Sequence, residues 1–201
     1  MKYHHLYKPF LLLVLFVMLV GIACSSSTPV VKTPGGPATD NTESSPANEE
    51  AKPTKAPAVG SARSNPAPVG SEITADDMTF KVVEIVRPAD KKVKDANTFN
   101  SEADTGMEYM LVKVSIVCTK GSDEKCSWMN YSMKLLGTDG KVQDPAMVAG
   151  LDGELENKEF FGGSNLSGYI PYQVSKDDKS PLIMYDPIFG DSFYLSLSAS
   201  E

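Results

Sequence analysis

An antiparallel all-β sandwich is predicted for residues 69–201 of this 201-residue chain, and three observations predict it. Apolar residues recur with period two in several short runs. Gly, Asp and Pro residues that favour turns separate those runs. No window carries an apolar stripe at helical spacing. Short alternating strands joined by turns are the pattern of a sandwich.

Thr79 to Val86 is β-branched and apolar throughout. Its alternation runs through Phe80 and Val82, then shifts to Val83 and Ile85, which predicts a bulge or burial on both faces. Met110, Val112, Val114, Ile116 and Cys118 form the buried face of a long strand. Met133 to Leu136 is a short strand that ends at the turn Thr138-Asp139-Gly140. Leu166, Gly168, Ile170, Tyr172 and Val174 share one face of the next strand. Pro171 falls on its other face and predicts an edge or an irregularity, because proline cannot donate to a ladder. Leu182 to Tyr185 follows, and then Phe193, Leu195 and Leu197 alternate with serines and Tyr194. Arg87 to Gly106 and Met147 to Gly163 read as longer loops, the default places for function on such a scaffold.

The first 68 residues have a different composition. Lys2 and Lys8 precede an unbroken apolar run from Phe10 to Ile22. A helix of that length rises only about 20 Å, less than the roughly 20 residues needed to span the hydrocarbon core. Residues 1–23 therefore read as a signal peptide. Small residues at the end of the run, then Cys24 and three serines, resemble a bacterial lipobox. Gly21 stands where that pattern prefers leucine. The resemblance implies cleavage before Cys24 and a thioether-linked lipid on it, hence a membrane partner and an extracytoplasmic location. Residues 24–68 then form a tether. Eight of the fourteen prolines lie between positions 25 and 69, with few large apolar side chains to offset the entropy of ordering.

Charge and residue usage exclude several chemistries. The formal net charge is −7, and loss of Lys2 and Lys8 with the signal peptide takes it to −9, which opposes nucleic-acid binding. Both histidines, His4 and His5, lie in the signal segment. The mature chain lacks the residue on which Ser-His-Asp catalysis and the usual zinc sites depend. No metal site, cofactor or catalytic residue is expected.

Smaller motifs have plain readings beside the functional ones. Cys118 and Cys126 are expected to pair in an exported protein, with two free thiols or a redox pair as the other readings. Ser122-Asp123-Glu124-Lys125 matches Ser-x-x-Lys but lacks its companion motifs and reads as a turn. Asp76-Asp77, Asp177-Asp178 and the Asp152, Glu154, Glu156 group read as turn and surface acids; no EF-hand pattern is present. Trp128 and Tyr131 are either core beside the disulfide or an exposed contact surface. Asn130 and Asn165 start glycosylation sequons that carry no weight in a bacterial lipoprotein.

Val69-Gly70-Ser71-Glu72, the Phe80–Val86 strand, Tyr109 to Val114, Leu135 to Lys141 and the Gly163-to-Gly168 segment leading into Tyr169 to Asp177 occur in that order. This order resembles the telokin-like, immunoglobulin-like domain of unknown function found at the C-terminus of bacterial lipoproteins. The resemblance covers about residues 69–198 and implies an immunoglobulin-like sandwich; its motifs are structural. Many members have Pro-Gly-Glu before the late strand, where this chain has Gly162-Gly163-Ser164. The expected function is a lipid-anchored, non-catalytic binding or interaction module of the cell envelope, with an envelope protein or glycan as partner. A structural accessory protein without a specific ligand is the alternative, and a small carboxylate-based hydrolase the remaining one.

Overall fold

A computed structural model of the chain describes residues 30–32 and 58–198. The signal segment, Cys24 and residues 33–57 of the expected tether lie outside the described residues. In chain order the elements are β1 (Val30–Lys32), β2 (Glu72–Ala75), β3 (Met78–Val86), a short helix α1 (Asp90–Ala96) and β4 (Met107–Cys118). Then come β5 (Lys125–Trp128), a 3₁₀ turn (Asn130–Ser132), β6 (Met133–Leu136), β7 (Val142–Gln143) and β8 (Lys158–Phe161). β9 (Asn165–Ser175), β10 (Leu182–Tyr185) and β11 (Phe193–Ser196) complete the set.

The chain folds as an all-β, immunoglobulin-like sandwich. One sheet runs β1-β2-β3-β4-β9 and the other β11-β10-β6-β7, with a separate β5-β8 ribbon; the pairs joined in them are antiparallel. The inward residues are those set by the period-two reading. Phe80, Val82, Met110, Val112, Val114, Ile116, Ile170 and Tyr172 face Met133, Leu135, Ile183, Phe193 and Leu195 in one core. Phe80 lies at its centre, with ring centroids 6.1 Å from Trp128, 4.7 Å from Tyr185 and 5.2 Å from Phe193. The buried Tyr172 hydroxyl donates to the Met133 carbonyl at 2.8 Å and so ties the two sheets together. The pairing of β3 with β4 shifts between Val82 and Glu84, the bulge that the changed alternation predicts. β9 is the edge of its sheet, which is where Pro171 can be tolerated.

Burial on the other face of β4 and β9 was not predicted. Tyr109, Leu111 and Tyr169 pack there with Ala89 and Val93 from the α1 segment and Val148 and Leu151 from a later loop. α1 (DKKVKDA) buries only Val93, so the sequence carries no helical stripe to read. Its ends do suit a helix, with Asp90 in the first turn and Lys94 in the last.

The structure also corrects the tether. Residues 30–32, inside the segment expected to be disordered, form β1 and pair with β2. Two consecutive β-branched valines favour a strand, and the β2 edge offers unpaired backbone groups. Val31 packs against the core. The folded part also begins before Val69. Gly60 accepts from the Tyr194 amide, and the fully buried Ala67 accepts from the Ser196 amide.

Cys118 and Cys126 form a disulfide that joins the end of β4 to the β5-β8 ribbon across a sequence separation of 8. Replacing both by serine is expected to lower the unfolding free energy by about 2.5 kcal/mol, from the chain entropy of a loop this short. Urea denaturation checks this; a midpoint equal to the parent's contradicts it.

Candidate functional site

The sandwich has two ends of different character. At one end lie the β2–β3 turn at Asp76-Asp77, the 3₁₀ turn and the β10–β11 loop. At the other lie the long β3–β4 connection, the β6–β7 turn and the β9–β10 turn.

At this second end the structure brings together the two long loops that the sequence left as surface candidates. The Arg87–Pro88 peptide leads into α1, and after α1 the chain turns at Asn97 to Asn100. Asn100 is buried, and both N–H donors and the oxygen of its carboxamide are engaged. Its Nδ2 donates to Val93 O at 2.9 Å and Ala149 O at 3.0 Å, and its Oδ1 accepts from Ala149 N at 2.8 Å. One side chain thus clamps the α1 loop to the 147–150 loop. The second loop is also fixed to β9, because the Ala146 amide donates to the Pro171 carbonyl at 2.8 Å. Farther along, Leu155 N donates to Tyr169 O and Tyr169 N to Gly153 O. Gly168 permits this approach, since a Cβ there would lie 2.7 Å from the Leu155 backbone.

These clamped loops hold two large apolar side chains in water. Phe99, next to the clamp, is 93% exposed, and Met147 is 98% exposed. An open cleft of about 770 Å³ has Ala146, the chain neighbour of Met147, on its wall. Asp104, Asp139, Asp144, Asp177 and Asp178 line it, and Lys141 is the one cationic side chain among the lining residues. Lys141 pairs with Asp139 at 2.8 Å and holds that carboxyl below its usual range through the hydrogen bond. Asp178 is buried and shapes turns, accepting from Thr138 N at 2.8 Å and Ser180 N at 3.0 Å. Burial, with the acidic charge of Asp104 and Asp90, pushes the Tyr109 phenol up. On the neighbouring face the Tyr169 ring lies under the Lys92 ammonium at 3.8 Å, and its hydroxyl donates to Glu84 at 2.8 Å.

The residues singled out in the sequence fall in different places. Trp128 is 1% exposed and packs on Phe80, and its indole N–H donates to Asn130 Oδ1 at 2.7 Å. It is core, which removes it from the candidate contact surface; a large ring beside a disulfide completes the sandwich interior. Tyr131 is 45% exposed, at the other end from the cleft. Cys24 lies outside the described residues. The acid pairs Asp76-Asp77 and Asp177-Asp178 sit at opposite ends and form no single site. Among the described residues no three His, Cys, Asp or Glu side chains converge as metal ligands. Ser122 lies in an exposed turn, and Lys125 pairs with Glu159 at 3.1 Å. Phe99, Met147 and Asn100 were not singled out. Their signal was slight: one aromatic residue inside a polar loop.

Asp76 carries the electrostatic stress of its end. It has φ 51°, and its Oδ2 is buried without a hydrogen-bond partner. Burial raises its carboxyl above 3.8, assisted by Asp191 and Asp77 and opposed by a hydrogen bond from Tyr185. The folded protein therefore keeps this proton to higher pH than the unfolded chain. The stability it contributes is full below 3.8 and falls as pH rises through the raised value. Asp76→Asn keeps a residue that tolerates positive φ and removes the titration. Its melting temperature is expected to exceed the parent's at neutral pH, with the difference vanishing in acid; an equal difference at both pH values contradicts this.

A family model for a domain of unknown function, DUF4352, matches residues 67–193. No curated protein matches the chain. The yjhA protein of Bacillus subtilis is 12% identical, with a TM-score of 0.49 over 65% of this chain and 98% of that one. The candidate lipoprotein ycdA of Bacillus subtilis is also 12% identical, with a TM-score of 0.49 over 65% of this chain. This chain spans 39% of that protein's length. MPT63, a secreted protein of Mycobacterium tuberculosis, is 10% identical, with a TM-score of 0.46 over 65% of this chain and 95% of that one.

Proposed function

The chain belongs to the DUF4352 family, and we propose that it is a non-catalytic interaction module of the cell envelope, held outside the cytoplasm by lipid on Cys24. The lipobox-like end of the signal segment supports the anchor. The telokin-like kinship is the finer reading of the same strand motifs, and it adds no catalytic residue.

One observation carries the functional reading. A buried asparagine making three side-chain hydrogen bonds fixes two loops, and those loops present Phe99 and Met147 almost wholly to solvent. Large apolar side chains carried on loops whose backbone is already fixed lower the ordering cost of binding and act as anchors in protein interfaces. The acidic cleft that starts at Ala146, next to Met147, favours a partner with a basic rim. The partner class is a protein of the envelope.

The test is a titration of labelled full chain onto envelope preparations. Phe99→Asp with Met147→Asp is expected to weaken saturable binding at least about tenfold, the loss of roughly 1.4 kcal/mol of hot-spot energy. Val83→Asp, on an exposed position of the β3 bulge, is expected to leave it unchanged. Binding that does not saturate, or that ignores all three substitutions, favours the accessory role without a specific ligand.

A further inference from the structure

The end of the sandwich away from the cleft carries a second set of exposed apolar side chains. Ile188 and Phe189, at the tip of the β10–β11 loop, are 70% and 87% exposed. Met129 and Tyr131, beside and within the 3₁₀ turn, are also exposed. These residues belong to one surface. The Asp186 amide donates to the Ser132 carbonyl at 2.7 Å, which ties the loop to the 3₁₀ turn. Gly190 lies against the Asp76 carboxylate so closely that a Cβ would meet its Oδ1 at 2.1 Å, which ties the loop to the β2–β3 turn.

The first described residue of the chain, Val30, lies near this same end. Val30 pairs with Thr74, and Thr74 pairs with Thr79 across the turn at Asp76. Because β1 is antiparallel to β2, its first residue, Val30, lies at the end of β1 nearer the β2–β3 turn. Cys24 is six residues before Val30, so their separation is at most about 20 Å even if the chain is fully extended. The apolar run Phe10 to Ile22 comes immediately before it.

We propose that this end is a membrane-docking surface, in which Ile188, Phe189, Met129 and Tyr131 enter the headgroup boundary of the bilayer that holds the anchor. The proposal rests on the lipid anchor of the function given above and goes beyond it by fixing the domain's orientation. An anchor this close raises the effective concentration of bilayer at the loop to the millimolar order, so a weak intrinsic affinity suffices. Tyrosine suits the interface, with an apolar ring and a polar tip. The surrounding charge decides the kind of contact. Asp76, Asp77, Asp186 and Asp191 face this end, and Lys120 and Lys134 are engaged with Asp77 at 3.7 Å and Asp186 at 3.1 Å. Docking is therefore apolar rather than electrostatic, and anionic lipid weakens it.

The experiment uses the full lipid-bearing chain in vesicles of phosphatidylcholine, with or without phosphatidylglycerol, that carry a headgroup nitroxide quencher. Phe189→Cys and Phe99→Cys each add a single thiol for an environment-sensitive fluorophore, since Cys118 and Cys126 are paired and Cys24 carries the thioether lipid in the lipid-bearing chain. The label at 189 is expected to shift to the blue and to be quenched at least twofold more than the label at 99. Ile188→Asp and added phosphatidylglycerol are both expected to reduce the effect. A chain that floats with the vesicles while its label at 189 stays as water-exposed as that at 99 overturns the docking surface alone. A chain that does not float with them overturns the anchor, and the docking surface with it.

Discussion

Phe80→Ala is expected to lower the unfolding free energy by about 3–5 kcal/mol, the range for truncating a buried aromatic ring. Phe80 is 1% exposed and touches rings contributed by the ribbon, by β10 and by β11. Its loss leaves a cavity bordered by Trp128, Tyr185 and Phe193, three large rings with little freedom to close it. Tyr185 also hydrogen-bonds Asp76, so one border of the cavity is linked to the β2–β3 turn. Phe80→Leu, which keeps most of the volume, is expected to cost less than half as much. Urea denaturation of both variants decides the matter; equal midpoints for alanine and leucine contradict a central position for this ring.

Asn100→Ala is expected to release the outer layer, at a local cost of about 3 kcal/mol for three hydrogen bonds, one buried and two part-buried. The substitution strands the carbonyls of Val93 and Ala149 and the amide of Ala149. The main core does not depend on this clamp, because the buried cluster around Leu111 and Tyr169 lies on the far face of β4 and β9. Amides in the 87–106 and 146–151 segments are therefore expected to exchange faster, while those in the middle of β4 keep their protection. Asn100→Asp keeps an acceptor for Ala149 but loses both donations, and intermediate exchange is expected. Uniform loss of protection across both sheets contradicts the picture of a separable layer.

The main sheets were legible because their chemistry is repetitive. Met110 to Cys118 and Phe193 to Leu197 alternate over enough residues to fix both strand and face. The shift at Val82 and the proline at 171 announced the bulge and the edge. What could not be read depends on contacts between distant segments. β5 and β8 are four residues each and pair across thirty or more positions, so neither shows a pattern of its own. β1 is three residues inside a proline-rich segment, and only the open edge of β2 makes it a strand. Leu111 and Tyr169 look like residues on the exposed face of alternating strands. They are buried because α1 and the 146–151 loop fold over them. The clamp that organises this layer is one asparagine in a polar loop, and nothing local distinguishes it from Asn97. The candidate surface was accordingly half legible: the correct loops, without the residues that make them a surface.

The most direct test of the account places a photo-crosslinking side chain at positions 99, 147 and 83 of the full chain in living cells. The interaction-module account predicts one discrete protein adduct from 99 and 147, absent from 83 and lost when Asn100→Ala loosens the clamp. Adducts of the same pattern and yield from all three positions, or none from 99 and 147, would contradict it.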